Sequence, residues 1–134
     1  MKNRAFLGIA VMVVVFLLGF LPQFVKAKRL ENELRVERQQ NTLAQLRDLV
    51  GLAYLQTTQK NYGLAAGTST RFFSRVEELV NQTVDDRFRK SLQDLLSFRD
   101  RITAELAKAD PAVVGDLQNL FLKTREVTTV SRSP

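Results

Sequence analysis

Residues 43–80 read LAQLRDLVGLAYLQTTQKNYGLAAGTSTRFFSRVEELV, and the fold turns on them. Leu43, Leu46, Leu49, Val50, Ala53 and Tyr54 recur at three- and four-residue intervals, the spacing of one apolar helix face. Asn61 and Gly63 are turn formers. Beyond them Ala65, Ser69, Phe72, Val76 and Leu79 resume the helical spacing. The pattern predicts two antiparallel helices meeting at about Lys60–Gly63. One long helix is the alternative, because the phase can be threaded through Thr57 and Asn61.

Toward the C-terminus, NQTVDD (81–86) ends the second helix, and Asp85 or Asp86 can cap the next. In 87–109 a third helix is predicted, with a stripe of Phe88, Leu92, Leu95, Arg99, Ile102 and Leu106. Asp110 then reads as an N-cap with Pro111 at the first helical position, where its missing N–H costs nothing. Val113, Val114, Leu117, Leu120 and Phe121 give the last apolar face. From 127 to 134 the pattern is lost and a disordered tail is predicted.

Toward the N-terminus the chain turns strongly charged and then strongly apolar. Residues 26–42 predict an exposed helical stalk. Arg29 with Glu33, and Glu31 with Arg35, are i,i+4 pairs that support such a helix. Ala27, Leu30 and Leu34 keep a three-to-four spacing before the stripe lapses at Glu37 and Asn41. That is the start of a parallel coiled coil, though short of the sustained heptads such a seam needs.

Ala5 to Leu21 is an uninterrupted run of 17 apolar residues and glycines, about 25 Å of helix. Taken to Val25, beyond Pro22 and Gln23, it approaches the ~30 Å of a bilayer's hydrocarbon core. A transmembrane signal anchor over 5–25 is therefore predicted, behind a short basic tail, 1–4. Val25 and Ala27 also fit the small-residue pattern of signal-peptidase cleavage, so a cut after Ala27 is the alternative. Lys and Arg are more numerous after the run than before it, but the basic start MKNR resembles a secretory signal. We read the N-terminus as inside and the helical domain, 43–126, as extracytoplasmic.

At LVGLAYLQTTQKNYGLAAGTSTRFF (49–73) the pattern resembles a tetratricopeptide-type helical hairpin. KNY (60–62) followed by Ala65 falls where that repeat has its turn and the small residue opening its second helix. Leu49, Leu52, Ala53 and Phe72 fall at its packing sites. The family's usual Gly-Asp or Gly-Asn is Lys60-Asn61 here, and its early aromatic is Leu49. The resemblance covers one repeat, where arrays need about three, so it implies shared packing and no more.

Chemistry is bounded by what the chain lacks. It has no cysteine and no histidine, which excludes disulfides, Cys or His metal sites and His acid–base catalysis. No phosphate-binding loop is present, and the paired acids Glu77–Glu78 and Asp85–Asp86 have no metal-loop spacing. No cofactor and no catalytic residue is predicted. The net charge is +6, but Lys2, Arg4 and Lys26 flank the apolar run and the remaining 17 basic and 14 acidic residues are nearly balanced. That is not a nucleic-acid footprint.

The expectation is an all-α protein: a membrane helix, a stalk, and two consecutive helical hairpins. Its expected role is a non-enzymatic, membrane-tethered interaction module of a bacterial envelope. The partners expected are the bilayer, another envelope protein, and a second copy of the chain. A ligand-sensing or carrier domain outside the membrane is the alternative, and a cleaved secreted helical protein the next. Tyr62, Arg71, Phe73 and Arg75 are the candidate partner-binding residues, because aromatic and arginine side chains dominate interface hot spots. Arg99, inside an apolar stripe, is a candidate buried charge whose partners would be Glu77, Glu78 or Asp48.

Overall fold

The computed structural model describes residues 2–130, and the side chains of all of these except 2–7, 17–24 and 130. Five helices run in order: α1 (Lys2–Thr58), α2 (Tyr62–Gln82), α3 (Asp86–Leu96), α4 (Arg99–Ala107) and α5 (Val113–Val130). No strand occurs among the described residues. The chain divides into two units, Met1–Gln40 and Asn41–Pro134.

The first unit is helix throughout its described length, and helix continues past Pro22. Its described side chains are exposed, among them Ile9, Met12, Val15, Leu30 and Leu34. The membrane helix expected over 5–25 includes 5–7 and 17–24, whose side chains lie outside those described. Among the described residues no helix is long and apolar enough to cross a membrane.

The second unit holds the core. Leu43, Leu46, Val50 and Ala53 of α1 are buried, as are Ala65, Phe72, Val76 and Leu79 of α2. α2 packs on both α3 and α4, and α5 packs on the same two helices. A Cβ added at Gly51 would lie 3.5 Å from the Phe121 ring, so α5 also reaches back to α1. The elements therefore share one core, with Leu92, Leu95, Ile102, Leu106, Val113, Leu117 and Leu120 completing it.

The first turn falls where the sequence places it, but with different chemistry. Lys60 takes the left-handed conformation, φ 62°, and Gly63 is already inside α2. The Asn61 N–H donates to the Gln56 carbonyl at 2.8 Å, closing the end of α1 as a Schellman turn. The end of α4 repeats the device, with Ala109 at φ 53° and the Asp110 N–H bonded to the Glu105 carbonyl at 2.9 Å. Asp85, not Asp86, caps α3, accepting from the N–H groups of Arg87 and Phe88. Asp110 Oδ1 accepts from the Ala112 N–H, and a tight turn over Pro111 leads into α5 at Val113.

Two expectations are corrected here. The single helix predicted over 87–109 is broken at Ser97–Phe98. There the Phe98 N–H bonds the Leu95 carbonyl, and Ser97 Oγ donates to the Asp94 carbonyl at 2.7 Å. The break turns Phe98 toward the core and takes Arg99 out of it. A charge left in that stripe would have lost its water with no partner to replace it. The second correction is the tail: α5 continues to Val130, past the point at 127 where a disordered tail was expected, and 131–134 lie outside the described residues. Thr124 and Thr128 extend the buried face, each bonding its hydroxyl to the carbonyl four residues back, at 2.7 and 2.8 Å. A buried threonine satisfied in this way packs its methyl group like an apolar residue.

Candidate interaction groove between the first two domain helices

The outer side of the α1–α2 pair carries an open cleft of about 560 Å³. Leu49 and Leu52 of α1 supply its apolar surface. Gln45 and Asp48 stand along α1, and Thr70, Arg71, Ser74, Arg75 and Glu78 along α2. Spacing explains this arrangement. On α2 the residues 71, 74, 75 and 78 lie on one helical face, while 69, 72, 76 and 79 turn into the core. On α1, Leu52 and Leu55 fall off the buried stripe and are 42% and 52% exposed.

The arginines behave differently from each other. Arg75 Nη1 pairs with Glu78 Oε2 at 2.6 Å, and Nη2 reaches Gln45 Oε1 at 3.5 Å, so it bridges the two helices. Gln82 Nε2 donates to the other Glu78 oxygen at 3.2 Å. Arg71 donates only to Thr68 Oγ1, at 3.3 Å, and among the described residues it has no carboxylate partner. Asp48 likewise has no basic partner among the described residues. The groove thus offers an unpaired cation on one helix, an unpaired anion on the other, and leucines in the same cleft.

Of the four residues singled out in the sequence, Arg71 and Arg75 line the groove. Phe73 does not: it is buried, its ring edge-on to Phe72 at 5.2 Å between centroids. Two adjacent phenylalanines are both covered because α2 has neighbours on more than one side: α3 and α4 pack on it, and α1 comes near enough for Arg75 to reach Gln45. Tyr62 is half-buried against the core and also lies outside the groove. Sequence reasoning missed the α1 wall. Its signal was Leu52, an apolar residue out of phase with the buried stripe.

Arg99 is exposed and not the buried charge that its stripe suggested. Its Nη1 lies 2.5 Å from Glu77 Oε1, tying α4 to α2, and its Nε lies 3.3 Å from Asp100 Oδ1. Asp100's hydrogen bond and charge, and then Glu77's, hold the guanidinium above its ordinary pKa. Glu78 and Asp48 are not its partners.

Elsewhere, Glu105 holds its proton more tightly than an ordinary carboxyl does. Burial raises its pKa first, then the charge and hydrogen bond of Asp116. Arg101, 2.6 Å from Asp116 Oδ2, opposes the shift. No group of acidic side chains among the described residues is arranged to hold a metal ion.

No known protein family, curated protein or solved structure matches this chain.

Proposed function

We propose that this protein is a membrane-tethered helical interaction module of a bacterial envelope, without catalytic activity of its own. The groove between α1 and α2 carries this reading. Its occupant is a helix of another envelope protein, with apolar side chains for Leu49 and Leu52 and a carboxylate for Arg71. A second, basic group on the same helix answers Asp48. Burying an unpaired charge is favourable only against such a complement, which gives the groove specificity as well as affinity. The tether is the apolar run Ala5–Leu21, extended by Val25, with the domain outside the membrane and the N-terminus inside. The exposure of Ile9, Met12, Val15 and Val25 supports it, since apolar side chains bare on a helix in such number need a cover.

A photocrosslinker at Leu52, compared with one at Gln118 on α5, tests the groove in intact membranes. A single discrete adduct from position 52, lost in Arg71→Glu and absent at 118, is the expected result. Equal yields at both positions overturn the groove reading. Intact-mass measurement tests the tether: the full chain in the membrane fraction is expected, and a soluble species beginning at Lys28 overturns it.

The cleft's volume also favours the carrier reading, because about 300–1,000 Å³ is the range of small-ligand sites. A small amphiphile with a carboxylate would use the same Leu52 and Arg71. Loss of the position-52 adduct on adding such amphiphiles, with no protein adduct left to identify, would favour the carrier.

A further inference from the structure

We propose that the stretch Lys26–Arg38 of α1 pairs with the same stretch of a second copy of this chain, in parallel and in register. The stretch is one helix, and Ala27, Leu30 and Leu34 are exposed on it, the leucines by 59% and 45%. A seven-residue register places Ala27 and Leu34 at one seam position and Leu30 at the other. An isolated apolar seam says nothing about its cover, but the flanking charges do. In a parallel dimer the residue before the Ala27 or Leu34 seam position faces the residue five further along the other helix. Lys26 then faces Glu31 of the second copy, and Glu33 faces its Arg38. Both crossings are attractive, and two-fold symmetry doubles them to four.

The same register shows where the pairing stops. Glu37 occupies the next seam position, and two carboxylates would oppose each other there. The seam is therefore short, with three apolar positions per chain, and the dimer is weak in dilute solution. Tethering two copies to one membrane raises their effective concentration and selects the parallel arrangement. That orientation rests on the membrane reading above; the charge complementarity does not, and neither depends on the groove.

The absence of cysteine makes the test direct, since a single introduced thiol has no partner in its own chain, and a linked species of twice the chain's mass reports pairing between copies. Single variants of the full chain, Leu30→Cys, Asn32→Cys, Leu34→Cys and Val36→Cys, are oxidised in native membranes. Disulfide-linked dimer at 30 and 34, several-fold above 32 and 36, is expected. A flat profile overturns the proposal. So does a disulfide that forms only between Leu30→Cys and Leu34→Cys chains in a mixture, since that is the antiparallel pairing. Charge exchange is the second arm, read in the Leu34→Cys background. Glu33→Lys should lower the linked fraction, and Glu33→Lys with Arg38→Glu should restore it. A double variant no better than the single overturns the assignment of these charges. If the protein proves not to be membrane-bound while the periodic profile persists, the tether fails and the pairing stands.

Discussion

Arg101 Nε lies 2.6 Å from Asp116 Oδ2, an ion pair that joins α4 to α5 and whose acidic partner is only 17% exposed. Glu105 shares the site, with its Oε2 buried beside the pair. This second acid gives the site a pH response. Burial and Asp116 raise Glu105 above the ordinary carboxyl value of 4.5, with Asp110 adding to the rise and Arg101 opposing it. The folded chain therefore holds this proton more tightly than the unfolded chain does. Its contribution to stability is present at low pH and is lost as pH climbs from about 4.5 through the raised folded value. Glu105→Gln keeps the shape and removes the titration. Thermal melts should show the variant more stable than the natural chain at pH 7, with the difference shrinking toward pH 4.5. A constant difference across that range would place the titrating group elsewhere.

Lys60 and Ala109 each hold a left-handed conformation without being glycine. For an L-residue that conformation costs roughly 1–2 kcal/mol, and glycine returns about 0.4–1 kcal/mol of this through its freer unfolded state. Lys60→Gly and Ala109→Gly should each stabilise by about 0.5–1 kcal/mol, measured by urea unfolding at unchanged m-value. Because the sites close different helices, the two gains should add in the double variant.

Those two turns also show how far the sequence could be read. The buried stripes of α1 and α2 were legible because Leu43, Leu46, Val50 and Ala53, and then Ala65, Phe72, Val76 and Leu79, obey one helical period. The turn between them was legible from Asn61 and Gly63, yet its left-handed residue is Lys60, because a lysine gives no sign in the sequence that it takes this conformation. Arg99 was misplaced for a different reason: periodicity carries phase across 97–98 as though the helix were unbroken, and no glycine or proline marks the break. The groove was half legible. Arg71 and Arg75 stand out by residue type, whereas the α1 wall exists only once Leu52 is seen to face away from the core. Phe73 was a fair candidate until α2 proved to be covered on more than one side.

Phe73 and Arg71 are two residues apart and should separate stability from binding. Phe73 is buried, so Phe73→Ala opens a cavity and should cost about 3–5 kcal/mol. Arg71 is exposed with one hydroxyl contact, so Arg71→Ala should change stability by no more than about 0.5 kcal/mol. Chemical denaturation measures the first difference, and the position-52 crosslink measures what Arg71→Ala does to binding. Equal destabilisation by the two substitutions would mean that Arg71 belongs to the core rather than to the groove.

The last turns of α5 decide whether the C-terminal stretch is structural. Thr124 and Thr128 are buried, and Val127 packs partly against the core between them. Each hydroxyl is satisfied within the helix, so the polar appearance of TREVTTV (124–130) conceals three residues that exclude water, Thr124, Val127 and Thr128. Ending the chain after Lys123 removes all three contacts together with the helix turns that present them. At about 1.5–3 kcal/mol for a fully buried Val-sized side chain, and less for smaller or partly covered ones, the loss should be at least about 2 kcal/mol. Thr124→Val is the matched control. It keeps the branched shape and leaves the Leu120 carbonyl its helical hydrogen bond, so it should stay within about 1 kcal/mol of the natural chain. Thermal unfolding of both variants makes the comparison. A truncated chain as stable as the full one would show that the core ends at Leu120 and that the buried threonines are passengers.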